Sequence, residues 1–258
     1  MDDGIDFSTI ANISKEMKIS LNASTISEKD LDILKEYGAD FSHLEAWHNY
    51  YPRPETGLDL HEFTKRNRWL QEQGLKVIAF ASGDKNLRKP ICKGLPSLEK
   101  HRFLHPLGQM LELLYSNVDE VYIGDEGLQD STLLQFQKLH IHQIISLRVT
   151  NSDSQYFKDI LGNHQNRPDL SRDVIRSNFA RENNTKIIEV EPTKSRLIGS
   201  ITIDNKQYGR YMGEVQITKR NLPKDKKVNV VAQVIPDDIC MLPYIKGSIW
   251  FELVEYTA

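Results

Sequence analysis

Apolar positions along the first 140 residues switch between two periods. MKISL (residues 17–21), FSHLEAW (41–47), LKVIAF (75–80) and VDEVYI (118–123) are short apolar or alternating runs that predict strands. Between them the spacing becomes helical. Leu31, Ile33, Leu34 and Tyr37 predict a helix over residues 27–37 that Gly38 ends, and Leu60, Phe63, Trp69 and Leu70 predict one over 60–73 that Gly74 ends. Further helices are expected over residues 98–115 and 131–140. Strand and helix in repeated alternation imply right-handed crossovers and a parallel sheet with helices outside it.

After about residue 143 the pattern changes. Runs at 144–149, 187–190, 199–203, 211–218, 227–234 and 248–255 read as strands, and Asp204-Asn205, Leu222-Pro223 and Pro236-Asp237-Asp238 mark turns between them. The polar stretch 151–166 is expected to be flexible. The reading is α/β plus β: a βα domain over residues 1–142, then a compact, mainly antiparallel β domain over 143–258. Four complete βα units make about half of an eight-unit barrel, which takes about 250 residues. MDDG (residues 1–4) resembles the end of a strand, so a shortened barrel is expected, with open edges that favour self-association.

The 258 residues carry a net charge of −3 at pH 7. Such a balance supplies no basic footprint for nucleic acid, and no apolar run reaches the ~18 residues of a membrane span. The start of the chain lacks a signal-peptide pattern, so a cytoplasmic location is expected. Cys92 and Cys240 stand far apart without metal-ligand spacing, so neither a disulfide nor a metal site is expected.

Candidate chemistry gathers at strand ends, which converge on one rim of a parallel βα array. HNYYPRPETGL (residues 48–58) follows the second strand, and Pro52 and Pro54 forbid the ladder from continuing. It offers His48, Asn49, Tyr50, Arg53 and Glu55; Asn22 closes the first strand. Glu45 lies between Leu44 and Ala46, where an unpaired charge is costly. Two readings stand for it: a structural partner of a basic residue, or a general acid or nucleophile. Asp125 after the fourth strand is either a helix cap or a second catalytic carboxylate. Glycoside cleavage uses two such groups unless a substrate acetamido group takes one role, and His48 could orient either. No GxSxG, HExxH or GxGxxG is placed to act.

The segments NAST (22–25), LEAWHNYYPRPETGLD (44–59), GLPSLEKHR (94–102), VYIGD (121–125), NRPDLSRDVIRS (166–177) and GSITIDNKQYGRYMGEVQI (199–217) together resemble the bacterial 6-phospho-N-acetylmuramidases. The resemblance implies the C-terminal half of a TIM-type (β/α)8 barrel followed by a cyclophilin-like β domain. It implies hydrolysis of N-acetylmuramic acid 6-phosphate linked to N-acetylglucosamine in cell-wall sugar recycling, with no metal or organic cofactor. Glu45, Asp125 and His48 become the catalytic candidates. Asn22, Asn49, Tyr50, Arg53, Glu55, Arg167, Arg172 and Tyr211 become candidates for holding the phosphorylated amino-sugar disaccharide. The alternative is a noncatalytic phosphosugar-binding or regulatory remnant.

Overall fold

The structure, a computed structural model, describes residues 5–257. The MDDG segment lies outside them. The chain divides into two units, Met1–Gln129 and Asp130–Ala258.

In the first unit the elements run α1 (Phe7–Ser14), β1 (Ile19–Asn22), α2 (Glu28–Glu36), β2 (Leu44–Trp47), α3 (Leu60–Glu72), β3 (Lys76–Ala81), α4 (Pro106–Tyr115) and β4 (Glu120–Ile123). The strands form one parallel sheet in the order β1-β2-β3-β4. Local chemistry sets the helix starts. Ser27 and Asp30 form a reciprocal capping box on α2, and the Asp59 carboxylate accepts from the backbone N–H groups of His61 and Glu62 at the start of α3. The sequence pattern did not single out α1, which Asp6 caps through Thr9 N.

Two expected elements are shorter than their patterns. Residues 41–43 form a 3-10 turn, capped by Asp40, before β2 begins. The helix expected over 98–115 splits into a 3-10 turn at Glu99–His101 and α4, because Pro106 suits a first helical turn and not a helix interior.

Alternation along the strands gives the sheet two unlike faces. Leu21, Leu44, Ala46, Val77, Ala79 and Ala81 turn to one face, where Ile10, Leu31, Leu34, Phe63, Leu70 and Leu113 from the helices pack on them. Each fully buried aliphatic or aromatic side chain contributes roughly 1.5–3 kcal/mol there. The opposite face carries Ser20, Asn22, Glu45, Trp47, Lys76, Ile78, Phe80, Glu120 and Tyr122.

The second unit begins with α5 (Asp130–His142), which the sequence reading grouped with the first domain and which packs on β5 (Ile144–Asn151). There follow β6 (Gly162–Gln165), β7 (Val174–Arg176), α6 (Ala180–Asn183), β8 (Ser200–Asp204), β9 (Val215–Thr218), β10 (Val228–Val234) and β11 (Trp250–Glu255). They form a seven-stranded sheet, β6-β11-β5-β10-β8-β9-β7. Its pairs are antiparallel except β5 with β11. Its two outer strands meet. Arg167 N donates to Arg176 O, Asn178 N donates to Gln165 O, and Asn166 bridges Ser177, so the sheet nearly closes on itself.

Two expectations fail in this unit. Residues 151–166, expected to be flexible, contain a 3-10 turn at Phe157–Ile160 and β6, and Phe157 and Ile160 anchor them in the core. Residues 187–190 form no strand: Glu189 N donates to Tyr156 Oη, Glu189 O accepts from Asn229 Nδ2, and Ile188 O accepts from Lys206 N. Among the described residues no helix is long and apolar enough to cross a membrane.

Candidate functional site

The face of the first sheet turned away from its helices gathers aromatic and charged side chains. The Trp47 ring lies 5.0 Å from Tyr122 and 5.9 Å from Phe80, and Tyr50 meets Phe80 edge-on at 5.2 Å. Register explains the grouping: Asn22 pairs with Trp47, Trp47 with Ile78, and Phe80 with Tyr122. Arg88 extends the group, donating to Tyr50 Oη at 2.6 Å with its guanidinium over the Tyr50 ring.

Glu45 lies beneath this aromatic group. Its residue is 9% exposed; Oε1 accepts from Lys18 Nζ at 2.9 Å and Oε2 from the Trp47 indole N–H at 3.1 Å. Burial pushes its pKa up, but hydrogen bonds from Lys18 and Trp47 and the Lys18 and Lys76 charges outweigh that, holding the carboxyl below its ordinary value. Glu45 is therefore an ionised carboxylate that also fixes the Trp47 ring. Lys76 pairs in turn with Glu120 on the same face.

Asp125 has a different task. One oxygen accepts from Gly83 N and Leu95 N, the other from Arg88 N, all at 3.0 Å, so this carboxylate ties the ends of the 83–95 loop together. It does not pair with Glu45. Glu45 sits opposite Lys76, the first residue of β3, whereas Ile123, two residues before Asp125, sits opposite Ala81, the last. Five residues at ~3.3 Å each put these levels roughly 16 Å apart along the strand. Paired glycosidase carboxylates stand about 5 to 9.5 Å apart. The expectation that Glu45 and Asp125 form one acid/base pair is corrected on that ground.

His48 is also corrected. It turns toward α3, with its ring 4.4 Å from Phe63 and its residue 2% exposed. Asn67 Nδ2 donates to Ser116 O, leaving Asn67 Oδ1 to accept from His48 Nε2 at 2.6 Å. Burial lowers the His48 pKa to about 4, so the ring is neutral and serves packing. Its Nδ1 is buried without a partner among the described residues.

The HNYYPRPETGL loop is held by a side chain from outside it. Arg102, buried, donates to both Glu99 oxygens and to the carbonyls of Pro52, Arg53, Lys93 and Gly94. Glu99 Oε2 in turn accepts from Gly57 N at 2.8 Å. A side chain at Gly57 would collide with the Glu99 backbone, its Cβ falling 2.6 Å from Glu99 N. The Arg102 hydrogen bonds pull the Glu99 pKa down to about 2.

On this clamped loop, Asn49 is exposed and its carbonyl accepts from Ser97 Oγ. Arg53 and Glu55 are exposed and make no side-chain hydrogen bond or ion pair among the described residues, and Glu55 has a φ of 73°. Asn22 ends β1, where its side chain accepts from Ser24 N. Asn22, Glu45 and Tyr50 are thus the expected residues that meet around the aromatic group.

The remaining candidates belong to the second unit. Arg167 pairs with Asp169 at 2.9 Å, Arg172 makes two 2.9 Å hydrogen bonds to Asp173, and Tyr211 accepts from Arg210 at 2.8 Å. Arg167 and Arg172 are therefore already matched with carboxylates. Trp47, Phe80, Tyr122, Arg88 and Arg102 were absent from the expected set. Period-2 alternation with Glu45 could have placed Trp47 on its face, whereas nothing local marks Arg102.

Family models described as 6-phospho-N-acetylmuramidase, N-terminal and C-terminal, match residues 1–138 and 145–254. No curated protein matches the chain. It is similar to the crystal structure of a conserved Enterococcus faecalis protein of unknown function, with 48% identity and a TM-score of 0.94 over 99% of this chain and 71% of that one. It is also similar to an uncharacterised B. cereus protein, with 27% identity and a TM-score of 0.79 over 99% of this chain and 76% of that one.

Proposed function

We propose that this chain, which belongs to the 6-phospho-N-acetylmuramidase family, is a glycoside hydrolase. Its substrate would be N-acetylmuramic acid 6-phosphate linked to N-acetylglucosamine, cleaved in cytoplasmic cell-wall sugar recycling. The observation that carries this reading is the aromatic group of Trp47, Phe80 and Tyr122 beside the ionised Glu45 carboxylate. Aromatic faces suit the apolar C–H surface of a pyranose, and a buried carboxylate suits the positive charge that develops at the anomeric carbon. The finer fold reading, half of a TIM-type barrel followed by a cyclophilin-like domain, belongs to the same proposal. A four-stranded parallel βα sheet and a nearly closed β sheet support it.

In this reading Glu45 stabilises the oxocarbenium-like transition state or activates the attacking water. Asp125 holds the 83–95 loop, so the proton for the leaving glycosidic oxygen must come from an acid other than Glu45 and Asp125, while the substrate acetamido group can serve as the nucleophile. Arg53, fixed through its carbonyl by Arg102 and with its guanidinium unspent, would grip the 6-phosphate. Incubating the full chain with the phosphorylated disaccharide tests this: both sugars should be released.

A noncatalytic phosphosugar-binding or regulatory role is the second reading, and one observation favours it. Glu45 is held ionised by Lys18 and Asp125 is spent on three backbone donors, so neither stands ready as a general acid. Saturable binding of the disaccharide without release would select this reading.

A further inference from the structure

The second unit contains a cavity of about 430 Å³ that no part of the proposed hydrolysis uses. That volume falls within the ~300–1,000 Å³ of small-molecule sites. Trp250 from β11 and Phe179 line it, 40% and 43% exposed. Two partly open rings thus face one concavity. The Trp250 indole N–H and the side-chain amides of Asn163 and Asn183, which also line the cavity, make no hydrogen bond within the described residues. Three polar groups and two rings thus remain unspent in one place.

The cavity carries no net charge to spend on an anion. Its carboxylate, Asp159, and its ammonium, Lys186, pair with each other at 2.8 Å. His164, in the wall, stacks on Phe251 and is fully used: Nε2–H donates to Ile160 O at 3.0 Å, leaving Nδ1 to accept from Ser177 Oγ at 2.9 Å. Burial lowers its pKa, so the ring is neutral. The wall is also well defined. Gly213 has a φ of +86°, and a Cβ there would fall 2.6 Å from Asn184 Nδ2, so the segment after α6 rests directly on that glycine.

We propose that this cavity is a second binding site, for an uncharged N-acetylated sugar. The pyranose would pack on Trp250, and its acetamido group would exchange hydrogen bonds with Asn163 and Asn183. Amides both donate and accept, as an acetamido group does, and an aromatic wall with a free N–H suits a ring with one apolar face and polar edges. The choice of a sugar among uncharged amphiphiles rests on the glycosidase reading. The site itself does not use Glu45.

Titration of N-acetylglucosamine into the full chain tests this, followed by calorimetry and by the Trp250 indole N–H resonance. Saturable binding that shifts the Trp250 resonance is expected. Trp250→Ala should weaken binding roughly tenfold and Asn183→Ala about threefold, as befits one stacked ring and one uncharged hydrogen bond. Glucose, lacking the acetamido group, should bind several-fold more weakly. An unmoved Trp250 resonance or undiminished binding by Trp250→Ala would each overturn the proposal. Since release of sugars from the disaccharide is a separate readout, failure here is distinguishable from failure of the hydrolase reading.

Discussion

The two sheets solve the same problem in opposite ways. The sheet of the first unit buries one face under helices and leaves its other face chemically mixed, with Glu45, Lys76 and Glu120 among Trp47, Phe80 and Tyr122. The second unit's sheet joins its outer strands through Asn166 and Ser177, and Ile145, Leu147, Val149, Ile201, Val231 and Phe251 along its strands are buried. A nearly closed sheet spends its edges on itself, and its free amides lie on an outer strand and a short helix, at Asn163 and Asn183. In the first unit the charged groups lie along the strands and pair there, as Glu45 does with Lys18 and Lys76 with Glu120. The lesson is that charge on a strand is informative only once its face is known.

The largest expected effect concerns what holds the first unit's loop. Arg102→Ala takes a donor from four carbonyls and from Glu99, which keeps Gly57 N, and losing this partly buried pair should cost about 3 kcal/mol. Denaturant unfolding should show that loss, and any turnover should fall with it. Because Glu99 has a depressed pKa, its contribution is present above its ordinary 4.5 and is lost as pH falls through about 2. The variant should lack this acid transition.

The second unit has the converse case. Asp204, 5% exposed, has its pKa raised to about 7 by burial first and then by the Glu214 and Asp225 charges, which Arg196 and Arg176 offset in part. A raised carboxyl pKa contributes stability that is full below about 3.8 and is lost as pH climbs through about 7. Asp204→Asn should therefore flatten the pH profile of unfolding and be the more stable protein at pH 8, by on the order of 2 to 4 kcal/mol. A profile unchanged by the substitution would contradict the assignment.

A small effect is expected at Lys18. It is 64% exposed at its side chain, so Lys18→Met should cost no more than about 1 kcal/mol of stability. It should nonetheless raise the Glu45 pKa, visible as an upward shift in the acidic limb of any pH–rate profile.

Much of this was legible in the sequence, for reasons that differ by region. The βα alternation and the terminating Gly38 and Gly74 are local, so they could be read in order. The importance of residues 48–58 was also legible, through their prolines and crowded polar groups. What held them was not, because Arg102 lies some fifty residues away and looks like any surface arginine in sequence. Asp125 misled for a similar reason: its donors are backbone N–H groups of Gly83, Arg88 and Leu95, which carry no sequence signature. His48 misled through its neighbours, since Asn49 and Tyr50 point to a polar rim while the histidine itself alternates onto the helix-covered face. In the second unit, residues 187–190 have strand-like composition, but Tyr156 and Asn229 answer their backbone in place of a ladder.

In the proposed reading Glu45 is the working carboxylate of the first sheet. Turnover of the phosphorylated disaccharide by the parent chain and by Glu45→Gln, with disaccharide affinity measured alongside, tests it most directly. The account predicts that the parent releases both sugars and that Glu45→Gln binds the disaccharide but loses roughly 10² to 10⁴-fold in rate. Release by Glu45→Gln at the parent rate would contradict it.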